Sequence, residues 1–116
     1  MIELTQGEIA DRIAILELKK AAGLETPELD EFAAAYRGPV HLLDQLREIN
    51  QRAWVVVERL NTFLYNLGPY ASESVLEDFR RCHFYNRERI DVKNRINEEF
   101  NQPVEHKTWH TLTRSV

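Results

Sequence analysis

Leu43, Leu46, Asn50, Ala53, Val57, Leu60 and Leu64 alternate three and four residues apart, in a stretch that neither proline nor glycine interrupts. That spacing predicts one long helix from about Val40 to Leu67 with a helix–helix seam along it. Leu42, Ile49, Val56 and Phe63 widen the stripe by one flank, as a helix facing two neighbours requires. At 1.5 Å per residue the helix spans on the order of 40 Å. Asn66-Leu67-Gly68-Pro69 then reads as a stop and a turn. Ser72 or Ser74 caps a helix of similar length running to about Phe100, where Pro103 prevents continuation. Two such helices can pair along their full length.

The N-terminal third supplies what covers them. Thr5 to Glu8 has the form of a capping box, with the threonine oxygen taking an amide hydrogen and the glutamate reaching back. Ile9, Ile13 and Leu16 continue a helical period, and Gly23 is a natural stop. Thr26-Pro27 begins a second, short helix, which Gly38-Pro39 closes. No repeat or linker divides the chain, so residues 1–116 read as a single helical-bundle domain. Two long antiparallel helices carry a shorter N-terminal helix laid across their groove, with one short connecting helix. Residues 104–116 have no helical period and form an irregular tail. The fold class expected is all-α.

Composition narrows the setting. Of the 116 residues, 43% are hydrophobic and 29% charged, which suits a soluble globular domain and is too apolar for disorder. The lone Cys82 rules out an internal disulfide framework and fits a reducing compartment. Met1-Ile2-Glu3-Leu4-Thr5 lacks the basic and apolar regions of a signal peptide, and no apolar run is long enough to span a bilayer. A cytoplasmic location is expected. The net charge of −4 disfavours nucleic acid as a partner. Arg80, Arg81, Arg87, Arg89, Lys93 and Arg95 make one stretch locally basic, but Glu88 and Asp91 dilute it into an ion-paired helix face.

The last long helix departs from a plain bundle. Its seam reads Val75, Phe79, Cys82, Asn86, Arg89, Lys93, Ile96, Phe100 in one register, and Leu76, Phe79, His83, Asn86, Ile90, Lys93, Asn97, Phe100 in the other. Both are apolar at the ends and polar in the middle. The preceding helix has Asn50 at a seam position and Glu58 beside Val57; the first has Asp11 and Arg12 beside its apolar stripe. Breaking a buried ion pair costs about 3–5 kcal/mol, against a total stability of about 5–15 kcal/mol. These groups must therefore be paired, reach water, or line a cavity. Two readings stay open. In one, Asn50 and Asn86 bond across helices while Glu58 and Asp11 neutralise Arg89 and Lys93 in a polar core network. In the other, Arg89 and Lys93 clamp a small anionic ligand that the Asn and Glu groups orient.

The run from Gly7 to Lys19, GEIADRIAILELK, resembles the start of a family of small uncharacterised bacterial and phage proteins. The likeness resumes at Leu46-Arg47-Glu48-Ile49-Asn50, Trp54 and Glu58, is strongest from Tyr85 to Asn97, and ends in Val104-Glu105-His106-Lys107-Thr108-Trp109. Arg59 and His106 stand where that family has acidic residues. Members are often encoded among polysaccharide and glycosyltransferase genes, and the resemblance implies an accessory role there. Its signature polar positions fall on Asp11, Asn50, Glu58, Asn86, Arg89, Lys93 and Asn97. A shorter likeness, Ile9-Ala10-Asp11-Arg12-Ile13-Ala14-Ile15-Leu16, is to helical chorismate mutases. Those enzymes hold a dianion with Arg and Lys, an arrangement that Arg12, Arg89, Lys93 and Glu58 could repeat here. Their long basic first helix is missing.

No metal or redox cofactor is expected. His106 and His110 follow Pro103, outside any helical period, and Cys82-His83 has no further ligands at suitable spacing. Glu98-Glu99 is not followed by the third carboxylate that helical nucleotide pyrophosphatases use for magnesium. Trp54 and Trp109 are expected to pack, one on the bundle and one on the tail. The leading expectation is a non-enzymatic interaction or accessory module with a protein partner; a small enzyme or binding protein for an anionic metabolite is the alternative. A homodimer is expected, because the flank of Leu42, Ile49, Val56 and Phe63 is wider than one partner helix covers.

Overall fold

A computed structural model describes residues 4–66 and 72–104, with side chains at 4–62 and 75–104. The described residues form four α-helices and no strand: α1 (Gln6–Ala21), α2 (Leu29–Ala35), α3 (Val40–Asn66) and α4 (Ser72–Glu99). The architecture is an all-α helical bundle. The turn expected at 67–69, the expected caps Ser72 and Ser74, the Phe63 flank, and His106, Trp109 and His110 lie outside the described residues or side chains.

Local chemistry sets most of the helix ends. Thr5 has extended backbone, and its hydroxyl accepts from the Glu8 amide at 3.2 Å. The other half of the expected capping box takes a different partner: the Glu8 carboxylate accepts from Lys93 Nζ at 2.7 Å. Gly23, with φ +89°, closes α1. Its amide donates to Lys20 O, and the amide of Leu24 donates to Lys19 O, both at 3.0 Å. The short helix begins at Leu29, two residues after Pro27, with Glu28 as N-cap. At the end of α4, Asn101 takes the left-handed conformation (φ 52°), and the Gln102 amide reaches back to Asn97 O at 2.9 Å. That arrangement ends the helix two residues before Pro103 could.

The core is where α1 crosses the hairpin of α3 and α4. Ile9, Ala10, Ile13 and Ala14 of α1 bury against Leu42, Leu43, Leu46 and Ile49 of α3 and Val92 and Ile96 of α4. Leu46 and Ile96 are wholly enclosed, each contributing about 1.5–3 kcal/mol. Half-buried Leu29, Phe32 and Ala35 of α2 close the outer side. Late in α3, Arg59 grips Asp78 early in α4, while Asp11 touches both Asn50, earlier in α3, and Arg89, later in α4, so the two long helices run antiparallel. At 16 residues α1 is only about 24 Å long. It meets α4 at Asn97, Lys93 and Arg89, then swings over α3, where Glu17 pairs with Arg47. Among the described residues, no third helix lies over the half of the hairpin that holds Arg59 and Asp78.

Two expectations are corrected here. Leu42, Ile49 and Val56 are buried within this one chain, Leu42 and Ile49 in the core shared with α1 and α4, so these three demand no second copy. Phe79, which both registers of α4 turn inward, is 53% exposed because α1 has already left α4 at that level.

Candidate functional site

The polar groups of the core form a ladder between α1 and α4. Asn97, Lys93 and Arg89 succeed one another four residues apart on α4, which puts them on one face. Opposite them, α1 offers Gly7, Glu8 and Asp11. On the first rung the Gly7 amide donates to Asn97 Oδ1 at 2.7 Å, and Asn97 Nδ2 donates to Pro103 O at 3.1 Å. On the second, Lys93 Nζ donates to Glu8 Oε1. On the third, Arg89 grips Asp11 with two bonds, Nη2 to Oδ2 at 2.7 Å and Nε to Oδ1 at 3.2 Å. Such forked pairing fixes angle as well as distance. Asn50 brings in α3: its amide nitrogen donates to Asp11 Oδ1 and to Leu46 O, both at 2.9 Å.

Gly7 explains why the helices can come so near. A Cβ there would lie 2.5 Å from Lys93 O. Below the ladder Gln6 ties the ends of the fold together. Its backbone amide donates to Gln102 Oε1, its side-chain nitrogen to Ala35 O, and its side-chain oxygen accepts from the Arg37 amide.

Burial grades these groups. Asp11, Asn50, Lys93 and Asn97 are all under 10% exposed, and Arg89 is half-buried. The ladder holds two carboxylates, Asp11 and Glu8, and two cations, Arg89 and Lys93, so it is neutral in itself. No buried side-chain nitrogen or oxygen among the described residues lacks a hydrogen-bond partner. A ligand anion between Arg89 and Lys93 would have to displace Asp11 or Glu8.

Of the eight residues singled out in the sequence, the structure brings together Asp11, Asn50, Arg89, Lys93 and Asn97. Three are elsewhere. Asn86 and Glu58 are exposed on the half of the hairpin that α1 does not reach, and Arg12 is exposed with its guanidinium 5.9 Å over the ring of Phe32. The partner expected for Lys93 was Asp11 or Glu58, and it is Glu8. Glu8, expected only in the helix cap, lies one turn before Asp11 and so shares the ladder's face. Asp78, which no motif marks, is 5% exposed and held by Arg59 Nη2 at 2.8 Å.

The remaining candidates carry little chemistry. Burial pushes the Cys82 thiol above its ordinary range, and the Asp78 carboxylate adds to the effect, the reverse of what activates a nucleophile. No group of three or more His, Cys, Asp or Glu suited to a metal ion exists among the described residues. No described helix is long and apolar enough to cross a membrane. Compared with protein-family models, curated proteins and solved structures, the chain matches none.

Proposed function

We propose that the chain is a non-enzymatic interaction or accessory module, one domain over residues 1–116, working in the cytoplasm. In this reading the ladder is a latch that fixes α1 on the hairpin, and the working surface is the uncovered half of α3 and α4. The observation that carries it is the neutrality of the interior layer: its cations face its own carboxylates, with no buried polar atom left for a ligand. Meanwhile Val57 and Phe79 are each about half exposed, on the stripes that α1 covers lower down. A radius of gyration of 16.2 Å, against about 13 Å for a compact chain of this length, agrees with a hairpin over part of which no described residue adds a third layer.

The partner proposed is a second copy, hairpin face to hairpin face, which would complete a four-helix bundle. The resemblance to proteins encoded among polysaccharide and glycosyltransferase genes makes those systems the setting for the accessory role. Sedimentation equilibrium tests the surface. A dimer that Phe79→Asp converts to monomer, with helicity unchanged, supports the proposal; a wild-type monomer at the highest attainable concentration refutes self-association.

A further inference from the structure

Between α1 and α2 lies a cleft of about 350 Å³, bordered on one side by Glu8 and Asp11 of the ladder. Its floor is apolar, with Leu16 buried and Ile15 and Phe32 half-buried. Its rim is charged, and the two signs differ in what they already hold. Glu8 and Asp11 are engaged by Lys93 and Arg89. Arg12 and Lys19 line the same concavity, and neither forms an ion pair among the described residues. They stand seven residues apart, about 10 Å along one side of α1. Of the cleft's acids, Glu28 alone has no ion-pair partner among the described residues, so the rim's uncommitted charge is positive by one.

Each cation has a simpler role. Arg12 shields the ring of Phe32, and Lys19 meets the negative end of the helix dipole. Neither role accounts for both lining one apolar hollow in which two of the three carboxylates are already engaged elsewhere. Ligand pockets run from about 300 to 1,000 Å³, so this one is sized for a single ring with one acidic group.

We propose that the α1–α2 cleft binds a small organic anion. Its carboxylate or phosphate sits between Arg12 and Lys19, and its hydrocarbon body lies on Phe32, Ile15 and Leu16. The site borders the ladder at Glu8 and Asp11 but includes no residue of the hairpin face proposed for self-association, so it stands or falls separately from that reading.

Amide chemical shifts of the full-length, isotope-labelled protein, titrated with benzoate, phenyl phosphate, inorganic phosphate and benzylamine, provide the test. Saturable shifts centred on α1 and α2 are expected with benzoate or phenyl phosphate, and the tighter of the two identifies the acidic group. Inorganic phosphate, lacking the body, should bind at least about tenfold more weakly. Arg12→Gln and Lys19→Gln should each weaken the aromatic anion about tenfold by removing a charge-assisted contact. Both residues are exposed, so unchanged melting temperatures are expected and separate lost binding from lost folding. The proposal is overturned if neither aromatic anion saturates, if inorganic phosphate binds as tightly, if benzylamine binds better than benzoate, or if both variants bind like wild type.

Discussion

Gly7 occupies the point where α1 lies closest to α4, and alanine there would show whether the ladder's spacing is a real constraint. In an open helix Gly→Ala is stabilising by up to about 1 kcal/mol. At this position the added methyl would sit 2.5 Å from the backbone oxygen of Lys93 and 2.8 Å from Asn97 Oδ1. A backbone oxygen cannot swing aside, so α1 must retreat by something approaching an ångström to regain van der Waals separation. The retreat strains the 2.7 Å bond from the Gly7 amide to Asn97 and draws Glu8 away from Lys93. Overpacking costs about 1–3 kcal/mol, and an impaired buried hydrogen bond costs a similar amount. After the helical gain is subtracted, Gly7→Ala should destabilise by about 2 kcal/mol, or about 8 °C in Tm for a chain of this size. Urea unfolding followed by circular dichroism measures it. Gly23→Ala is the control: with nothing within 4 Å and φ at +89°, it should lose only about 1 kcal/mol through backbone strain. A Gly7→Ala protein as stable as wild type would refute the close approach.

Three further outcomes follow from the same geometry. Asp11→Ala removes the forked carboxylate from Arg89 and one bond from Asn50 and should cost about 3 kcal/mol, the lower end for a buried pair because the Arg89 side chain is 26% exposed; adding Arg89→Met should recover part of the loss, and strict additivity in thermal melts would contradict the pairing. Lys93→Met alone leaves Glu8 without its partner, whereas Lys93→Met with Glu8→Gln should restore wild-type stability or exceed it if the layer is purely structural; a double variant less stable than the single would contradict that. The Tyr36 hydroxyl donates to Pro39 O at 2.7 Å, and its pKa is raised to about 12, chiefly by burial and then by the charge of Glu99, against the pull of Arg47. The unfolded phenol ionises near 10, so this contribution is whole below that pH and is lost as pH rises toward 12. Tyr36→Phe should flatten the alkaline fall in stability, and tyrosinate absorbance should show one residue titrating late.

What the chain alone determines here is whatever depends on neighbours within about four residues. Thr5 starts α1, Gly23 stops it, and an unbroken three-four period makes α3, because capping, left-handed backbone and helical spacing are local physics. The polar character of the middle of α4 belongs to the same class. Partners do not. Lys93 finds Glu8 across 85 residues and Arg89 finds Asp11 across 78, and a charge pattern holds no preference among several acids until the helices have docked. The deciding fact is the oblique path of the short α1. It encloses positions 89, 93 and 97 of α4 and leaves Asn86 and Phe79, on the same helical stripe, in water. Periodicity gives the direction in which a side chain points from its helix; only the packing of other helices decides whether anything is there to meet it.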